Sequence, residues 1–161
     1  MFREMRRTRQ LLPENECTEI LENGFSGVLA VSGDDGYPYA VPLNYVYTDG
    51  ALYFHCALAG HKLDAIERCD KASFCVTGMA ENVPEKFTAY YRSVIVFGRA
   101  SVVKDASEKR RAIEKLAAKY SPAETPERTA DEIGGAWERL CIVKLAPEHI
   151  TGKQAIELVS K

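Results

Sequence analysis

The 161-residue sequence predicts a mainly β fold, in which strands form a small antiparallel barrel and helices are inserted between hairpins. Two Asp-Gly pairs, Asp35-Gly36 and Asp49-Gly50, separate short apolar runs, and Asp-Gly supplies the positive φ that tight hairpin turns need. Gly98 interrupts a long β-branched run at a point where a barrel strand would bend. Apolar residues make up 46% of the chain and charged residues 27%, so we expect a single domain over residues 1–161.

The first predicted element is a helix in "LLPENECTEILENG". Pro13 suits the helix start, Cys17 and Leu21 share a face, and Gly24 can adopt a left-handed cap at the helix end. A short apolar strand, "SGVLAVS", follows and leads into the first Asp-Gly turn.

The next run, "YPYAVPLNYVYT", predicts one long strand whose odd-numbered residues from Tyr39 to Tyr47 share a face. Pro38 and Pro42 cannot donate ladder hydrogen bonds, so this strand should have an irregular or open edge. The second Asp-Gly turn leads into "ALYFHC", and the three strands should form an antiparallel meander.

The middle of the chain predicts a helix after Gly60 that buries Leu63 and Ile66. The strand "ASFCVTGM" follows, then a polar loop from Ala80 to Tyr90, then the long strand "YRSVIVFGRASVVK" with a bulge at Gly98.

The C-terminal part contains the clearest helix, "SEKRRAIEKLAAKY", with Ser107 as its predicted cap. A loop with a short helical piece, "SPAETPERTADEIGG", precedes the last strand, "LCIVKLAPEHI". The closing segment "TGKQAIELVSK" carries no clear pattern.

The composition excludes several classes of function. The net charge of −2 gives no basic field that would attract nucleic acid. No apolar run is long enough to span a membrane, and the N-terminus lacks the apolar core of a signal peptide, so we expect a cytoplasmic protein. The five cysteines are odd in number and form no C-x-x-C pair, which favours reduced thiols.

The first candidate site is the turn in "LYFHCALAGHKLDAI", where a strand ends and a helix begins. A helix start already carries partial positive charge, so Lys62 is unfavourable there unless an anion lies nearby. His55 and His61 could add donors to that anion, and phosphate is the natural candidate. The alternative is that Lys62 is solvated and balanced by Asp64.

The same turn is also a candidate metal site, because four possible ligands lie close in sequence: His55, Cys56, His61 and Cys69. Their spacing matches no usual zinc template, so we predict no metal site. Haem ligation stays open, since one axial histidine suffices.

The second candidate site is the proline-interrupted strand around Asn44. Its unpaired backbone groups and the Asn44 amide could serve the edge of a flat heterocycle, and the alternative is an edge strand that proline protects from aggregation. Arg92 and Ser93 could complete a phosphate site, or Arg92 could pair with a surface carboxylate. Trp137 could stack on a flat ligand or be buried, and burial is favoured.

No nucleophile elbow, P-loop or G-x-G-x-x-G motif is present, so any redox chemistry should belong to a bound cofactor. The order of four segments along the chain indicates a fold family. They are "GVLAVSGDDGYPYAVPLNYVY", "LYFHCALAGHKLDAI", "YRSVIVFGRASVV" and "IVKLAPEHITGK". Together, from about Met5 to Lys153, the chain resembles the flavin-binding split β-barrel superfamily of pyridoxamine 5′-phosphate oxidase, and more closely its nitroimidazole-resistance branch.

This resemblance implies an antiparallel, Greek-key-like split barrel that forms a homodimer with FMN at the subunit interface. It also implies the cofactor-binding residues, which lie in three groups. The flavin edge would meet Val41, Pro42, Leu43 and Asn44, the phosphate turn would supply His55, Ala57, His61 and Lys62, and the partner subunit would contribute Arg92, Ser93 and Trp137.

The implied function is an FMN-dependent oxidoreductase that passes electrons from a nicotinamide donor to a small acceptor of nitroaromatic type. His55 is the predicted catalytic residue, which would bind or protonate the substrate. The oxidases proper carry an arginine-lysine pair where this chain has His61-Lys62, and their substrate-phosphate residues are not evident here. A non-catalytic flavin or haem module, acting as a sensor or store, is the alternative, and a vitamin B6-type oxidase is a third option.

Overall fold

The computed structural model describes residues 2–159. Within that range seven strands form one antiparallel sheet in the order β2-β1-β5-β6-β7-β4-β3. The strands are β1 (Ser26–Ser32), β2 (Pro38–Asn44), β3 (Val46–Thr48), β4 (Ala51–Cys56), β5 (Lys71–Val83), β6 (Thr88–Val102) and β7 (Cys141–Gln154). The α-helices are α1 (Glu14–Asn23), α2 (His61–Arg68), α3 (Ala106–Tyr120) and α4 (Pro126–Ala136). This architecture confirms the predicted mainly β fold with inserted helices.

Two apolar clusters hold the fold together, one on each side of β4. The larger fills the inside of the curved sheet and includes Leu29, Phe54 and Phe74. The smaller joins the outer side of β4 to α3 and includes Tyr53 and Leu116. Because both of its faces are covered, β4 is buried from Ala51 to Phe54, and a run of four apolar residues replaces the usual alternation.

The predicted helix over α1 is present, but the predicted left-handed cap at Gly24 is wrong. Gly24 has φ −60° and ψ 132°, which is extended backbone. A Cβ atom at Gly24 would lie 2.5 Å from the Tyr45 hydroxyl and 2.6 Å from Val76 Cγ1. Close packing, rather than a positive φ, therefore explains glycine at this position.

The predicted strand from Tyr37 to Thr48 is interrupted at Tyr45, between β2 and β3. The backbone N–H of Tyr45 donates to the Tyr120 hydroxyl at 2.9 Å, which removes Tyr45 from the ladder. Both predicted hairpin pairings are present, β1 with β2 and β3 with β4, but the interruption places them at opposite ends of the sheet order, so they do not form one continuous meander. The predicted open edge of the proline-containing strand is confirmed, because β2 pairs with β1 alone and ends the sheet.

The predicted polar loop from Ala80 to Tyr90 is also wrong. β5 continues to Val83, β6 begins at Thr88, and the connection is only a short 3-10 turn followed by Phe87. Cross-strand pairing over Ala80↔Tyr91 to Val83↔Thr88 overrides the polar composition. The predicted irregularity at Gly98 is confirmed, because the register of β6 on β7 shifts between Phe97 and Gly98.

At the α3 start the cap is Asp105, not the predicted Ser107. The Asp105 carboxylate accepts from the Glu108 N–H at 2.7 Å, and Ser107 donates to the same carboxylate at 2.5 Å. The predicted short helical piece is the whole of α4, which Thr125 caps by accepting from the Arg128 N–H at 3.2 Å. In the closing segment, residues 151–154 extend β7 and Ile156–Leu158 form a 3-10 turn, while residues 160 and 161 lie outside the described range.

Candidate functional site

The turn between β4 and α2 presents an uncapped helix start beside a lysine. Gly60 has φ +141°, a conformation that favours glycine, and α2 begins at the next residue without a side-chain cap. The first N–H groups of a helix have no intrahelical acceptor and carry partial positive charge. Lys62 is half-buried, and no carboxylate of residues 2–159, Asp64 included, lies within 4 Å of its Nζ. An anion at this turn would satisfy both the backbone and the ammonium group.

His61 has partners of its own. Its ring lies 4.0 Å from the Tyr39 ring, centroid to centroid, and its Nε2 lies 3.5 Å from Asp34 Oδ2. Arg68 lies about two turns further along α2. It donates to the other carboxylate oxygen of Asp34 at 2.7 Å. The β1–β2 hairpin thus holds His61, and Lys62 is the cation of this turn that is left without an acidic partner among the described residues.

Lys62 acts on a neighbouring thiol. Burial and the adjacent Cys141 together raise the pKa of Cys56 to about 11, although the positive charge of Lys62 lowers it. A thiol with so high a pKa is mainly protonated at neutral pH, and only the thiolate is strongly nucleophilic. Its partner Cys141 lies directly opposite on β7.

On the other side of β4, His55 and Asn44 line one cavity of about 470 Å³. Both residues are exposed, and they stand at the ends of β4 and β2. Its apolar walls come from α3, α4 and the residue before β7, namely Ile113, Leu116, Ala117, Ile133, Ala136 and Leu140. The sheet therefore supplies His55 and Asn44, and the helical side supplies both this apolar surface and polar or charged side chains, among them Arg128 and Glu132.

The predicted flavin-edge residues of β2 divide between two faces. Val41 and Leu43 are half-buried against the larger cluster, so only their backbone groups could meet a ligand. Pro42 and Asn44 point outward and are exposed. Ala57 is exposed in the loop that follows β4.

The three residues predicted to come from a partner subunit have contacts within this chain. Arg92 Nη1 lies 3.1 Å from Glu16 Oε2, so the carboxylate alternative is the one that the structure displays. Ser93 lies opposite Lys153 in the β6–β7 ladder. Trp137 is half-buried, and Lys109 Nζ sits 4.2 Å from its ring centroid.

The sequence did not predict the α3–α4 wall or the role of Tyr120. The Tyr120 hydroxyl accepts from the Tyr45 N–H and contacts the Phe25 and Tyr45 carbonyl oxygens at 2.6 and 2.9 Å. Its ring also lines the cavity that contains His55. The only sequence signal was its place on the apolar face of α3.

An exposed row of side chains crosses the outer face of the sheet. Its members are consecutive ladder partners on β2, β1, β5, β6 and β7: Pro42, Val28, Cys75, Ile95 and Thr151. Val28 and Ile95 are 40% and 36% exposed, so this mainly apolar row is open to solvent in the single chain.

Comparison with protein families identifies the chain's relatives. Residues 13–154 match the pyridoxamine 5′-phosphate oxidase family. The chain belongs to this family. A search of curated proteins finds no match at the significance level applied.

Solved structures agree with the family fold. A candidate 5-nitroimidazole antibiotic resistance protein from Bacteroides thetaiotaomicron is 20% identical with a TM-score of 0.74, over 89% of this chain and 86% of that one. A FAD-binding protein from Mesorhizobium loti is 25% identical with a TM-score of 0.66, over 91% and 97% of the two chains. A FAD- and haem-binding protein from Mycobacterium smegmatis is 18% identical with a TM-score of 0.68, over 91% and 73%.

Family membership confirms the resemblance drawn from the four sequence segments, and the seven-stranded antiparallel sheet with inserted helices agrees with the split barrel of pyridoxamine 5′-phosphate oxidase relatives. Among residues 2–159, no group of three or more His, Cys, Asp or Glu side chains is arranged to hold a metal ion. Over the same described range, no helix has the length and hydropathy needed to cross a membrane.

Proposed function

We propose that this member of the pyridoxamine 5′-phosphate oxidase family is a flavin-binding oxidoreductase that holds FMN at the interface of a homodimer. It would take electrons from a nicotinamide donor and pass them to a small acceptor of nitroaromatic type. The observation that carries the proposal is Lys62, half-buried beside the open start of α2 without a carboxylate partner among residues 2–159. The FAD-binding relative from Mesorhizobium loti supports a flavin.

The residues around the turn fit a flavin with a phosphate tail. The phosphate would be bound by Lys62 and the first N–H groups of α2, because helix starts and ammonium groups both attract anions. The open edge of β2 would face the ring with backbone donors and acceptors, and Asn44 would add its amide. FMN, whose single phosphate such a turn can bind, is the flavin that the sequence resemblance implies.

The bound flavin would supply the electron transfer, and the protein would position it and the acceptor. His55 and Asn44 line the sheet side of the cavity, and α3 and α4 form its other side. The apolar side chains of α3 and α4, such as Leu116 and Ile133, would pack against a flat acceptor, and His55 would hold or protonate it. A small aromatic substrate fits a cavity of about 470 Å³ with this composition.

The dimer is supported by the exposed row that contains Val28 and Ile95. A two-fold interface uses the same patch on both copies, and an open apolar row on a sheet face is suited to that pairing. Arg92 and Ser93 lie on β6, as Ile95 does. If a partner subunit packs on this row, Arg92 and Ser93 of one subunit would therefore lie near the site of the other subunit.

The proposal is tested by replacing Lys62. In Lys62→Met we expect the FMN dissociation constant to rise at least ~10-fold, measured by quenching of flavin fluorescence, because the charge-assisted contact to phosphate is lost. Lys71→Met is the matched control, since Lys71 is an exposed lysine at the start of β5 and should leave binding unchanged. Equal FMN affinity of Lys62→Met and the native chain would overturn the phosphate assignment.

The nature of the cofactor is tested separately. An absorbance spectrum of protein purified without added cofactor should show flavin bands, and chromatography of the heat-released molecule should identify FMN. Anaerobic addition of a nicotinamide donor should bleach the bands, and a nitroaromatic acceptor should restore them. Supplying pyridoxamine 5′-phosphate and finding aldehyde product would instead indicate a vitamin B6-type oxidase.

A second candidate function is a non-catalytic flavin or haem module. The observation that favours it is His55, an exposed imidazole at a cavity with an apolar surface from α3 and α4, which could act as a single axial ligand. The FAD- and haem-binding relative from Mycobacterium smegmatis supports it at the level of fold. A Soret band that weakens in His55→Ala would favour this function, and bound flavin that no nicotinamide reduces would favour a sensor or store.

A further inference from the structure

The strands β5 and β6 form an arm that extends beyond the rest of the sheet. We call residues 80–91 the β5–β6 arm. The ladder between β1 and β5 covers only Val28–Ala30 against Ser73–Cys75, and the ladder between β6 and β7 ends at Arg92↔Gln154. Past those points β5 and β6 pair only with each other, and four paired residues on each strand, Ala80–Val83 and Thr88–Tyr91, correspond to ~13 Å at ~3.3 Å per residue.

The arm has little support from its own chain. Val83 is its one buried residue, at 8% exposure. The Ala155 N–H donates to the Tyr91 carbonyl at 2.9 Å near the base, and Thr88 contacts Glu157 at 3.0 Å. A two-stranded ribbon is at best marginally stable in water, so an arm of this length favours further contacts with another surface.

Phe87, at the tip of the arm, is unfavourable in two independent ways in the single chain. Its φ and ψ are 50° and 39°, the left-handed region that bulky side chains rarely adopt. Its side chain is 98% exposed, more than any other large apolar side chain of residues 2–159 that stands open to solvent. Asparagine or glycine would suit the backbone, and a polar residue would suit the exposure. An aromatic ring at this position is suited to burial against a partner.

We propose that Phe87 is an anchor that docks on a second copy of this chain. The inference rests on the homodimer of the proposed function. The arm continues the same two strands that carry Cys75 and Ile95 of the exposed row. If that row meets its own copy across a two-fold axis, each arm extends past the shared interface and lies over the other subunit. The tip then buries its ring there, and the two arms clamp the dimer.

The test uses Phe87→Asn, because asparagine tolerates the left-handed backbone. If Phe87 docks on a second copy, the dimer dissociation constant from sedimentation equilibrium should rise ~10-fold or more. If Phe87 has no partner, the substitution should leave the dimer unchanged and raise the melting temperature through relief of backbone strain, and that result overturns the proposal. Tyr37→Asn is the control, because Tyr37 is an aromatic residue with 75% exposure and an ordinary φ of −75°.

A photo-crosslinking experiment gives a second, independent readout. A p-benzoylphenylalanine at position 87 should yield covalent dimers on irradiation, with adducts to peptides of the second copy, whereas intramolecular adducts alone would contradict the docking. FMN titration of the native chain and Phe87→Asn separates this proposal from the function. A dimer that weakens in Phe87→Asn while the native chain binds no FMN supports the anchor and overturns the flavin assignment.

Discussion

Glu108 on α3 is the side chain on which three elements converge. Its Oε1 accepts from the Tyr53 hydroxyl at 2.9 Å and from Lys144 Nζ at 2.8 Å, which ties α3 to β4 and β7. The hydrogen bonds from Lys144 and Tyr53 hold the pKa of Glu108 below its ordinary value of 4.5. The ionised carboxylate therefore stabilises the fold at neutral pH.

Glu108→Gln should lower the free energy of unfolding by about 1–2 kcal/mol at pH 7. Because the folded pKa is lowered, this contribution is present above the unfolded pKa and is lost as the pH falls through the folded value. Urea unfolding of the native chain and the variant between pH 7 and pH 3 should therefore converge on acidification. Glu114→Gln, which removes only an exposed pair with Arg110, should change stability by less than about 0.5 kcal/mol. A pH-independent difference for Glu108→Gln would show that its charge is not the source of stability.

Single residues of the candidate site show what a sequence can and cannot specify. The conflict between Lys62 and a helix start is local, so the sequence was sufficient to single it out. The partner of His61 is Asp34, and that of Arg92 is Glu16. Each of these carboxylates lies on an element distant in sequence, and only the folded sheet brings them within reach.

At the scale of elements, Tyr120 determines where one strand stops and another starts. Its hydroxyl accepts from the Tyr45 N–H at 2.9 Å in place of a ladder partner, and its single proton faces the Phe25 and Tyr45 carbonyl oxygens at 2.6 and 2.9 Å. Tyr120→Phe keeps the ring but leaves these polar groups without that partner, so the free energy of unfolding should fall by about 1–3 kcal/mol. Urea unfolding measures the loss, and Tyr90→Phe is the control, because the Tyr90 hydroxyl contacts only exposed Lys86. Equal stability of Tyr120→Phe and the native chain would mean that water satisfies the Tyr45 backbone.

The elements that sequence predicted well are those whose signals are local. Asp49 and Gly50 both have positive φ, as the second Asp-Gly turn requires, and α3 follows its apolar periodicity. The polar composition from Ala80 to Tyr90 predicts a loop, whereas cross-strand pairing between β5 and β6 orders these residues as the β5–β6 arm. Ser107 and Asp105 are both good helix caps, so composition alone could not choose between them.

At the scale of the whole molecule, the sheet order explains how distant segments meet. β2 and β4 lie apart in the ladder, yet Asn44 and His55 share one cavity because the sheet curves and α3 with α4 spans the gap. Hydrophobic patterns specify which face of a strand is buried but not which strand is its neighbour. The four-segment resemblance indicated the fold family but not the neighbours of each strand, which the sheet order of the structure provides.

The same sheet leaves the exposed row around Ile95 open to solvent in the single chain, where a partner subunit could cover it. Ile95→Lys should convert the proposed homodimer to a monomer in sedimentation velocity, because two buried ammonium groups would face each other across a two-fold axis. Ile95 is already 36% exposed in the single chain, so monomer stability should change by less than about 1 kcal/mol.

FMN affinity should fall together with the loss of the Ile95→Lys dimer, since the cofactor is proposed to lie at the interface. Val102→Lys is the matched control, because Val102 is 41% exposed on the same strand but lies outside the row. A dimer that survives Ile95→Lys would place the interface elsewhere, while loss of the dimer with FMN affinity intact would place the flavin within one subunit. The two measurements thus decide separately where the subunits meet and whether the site needs both of them.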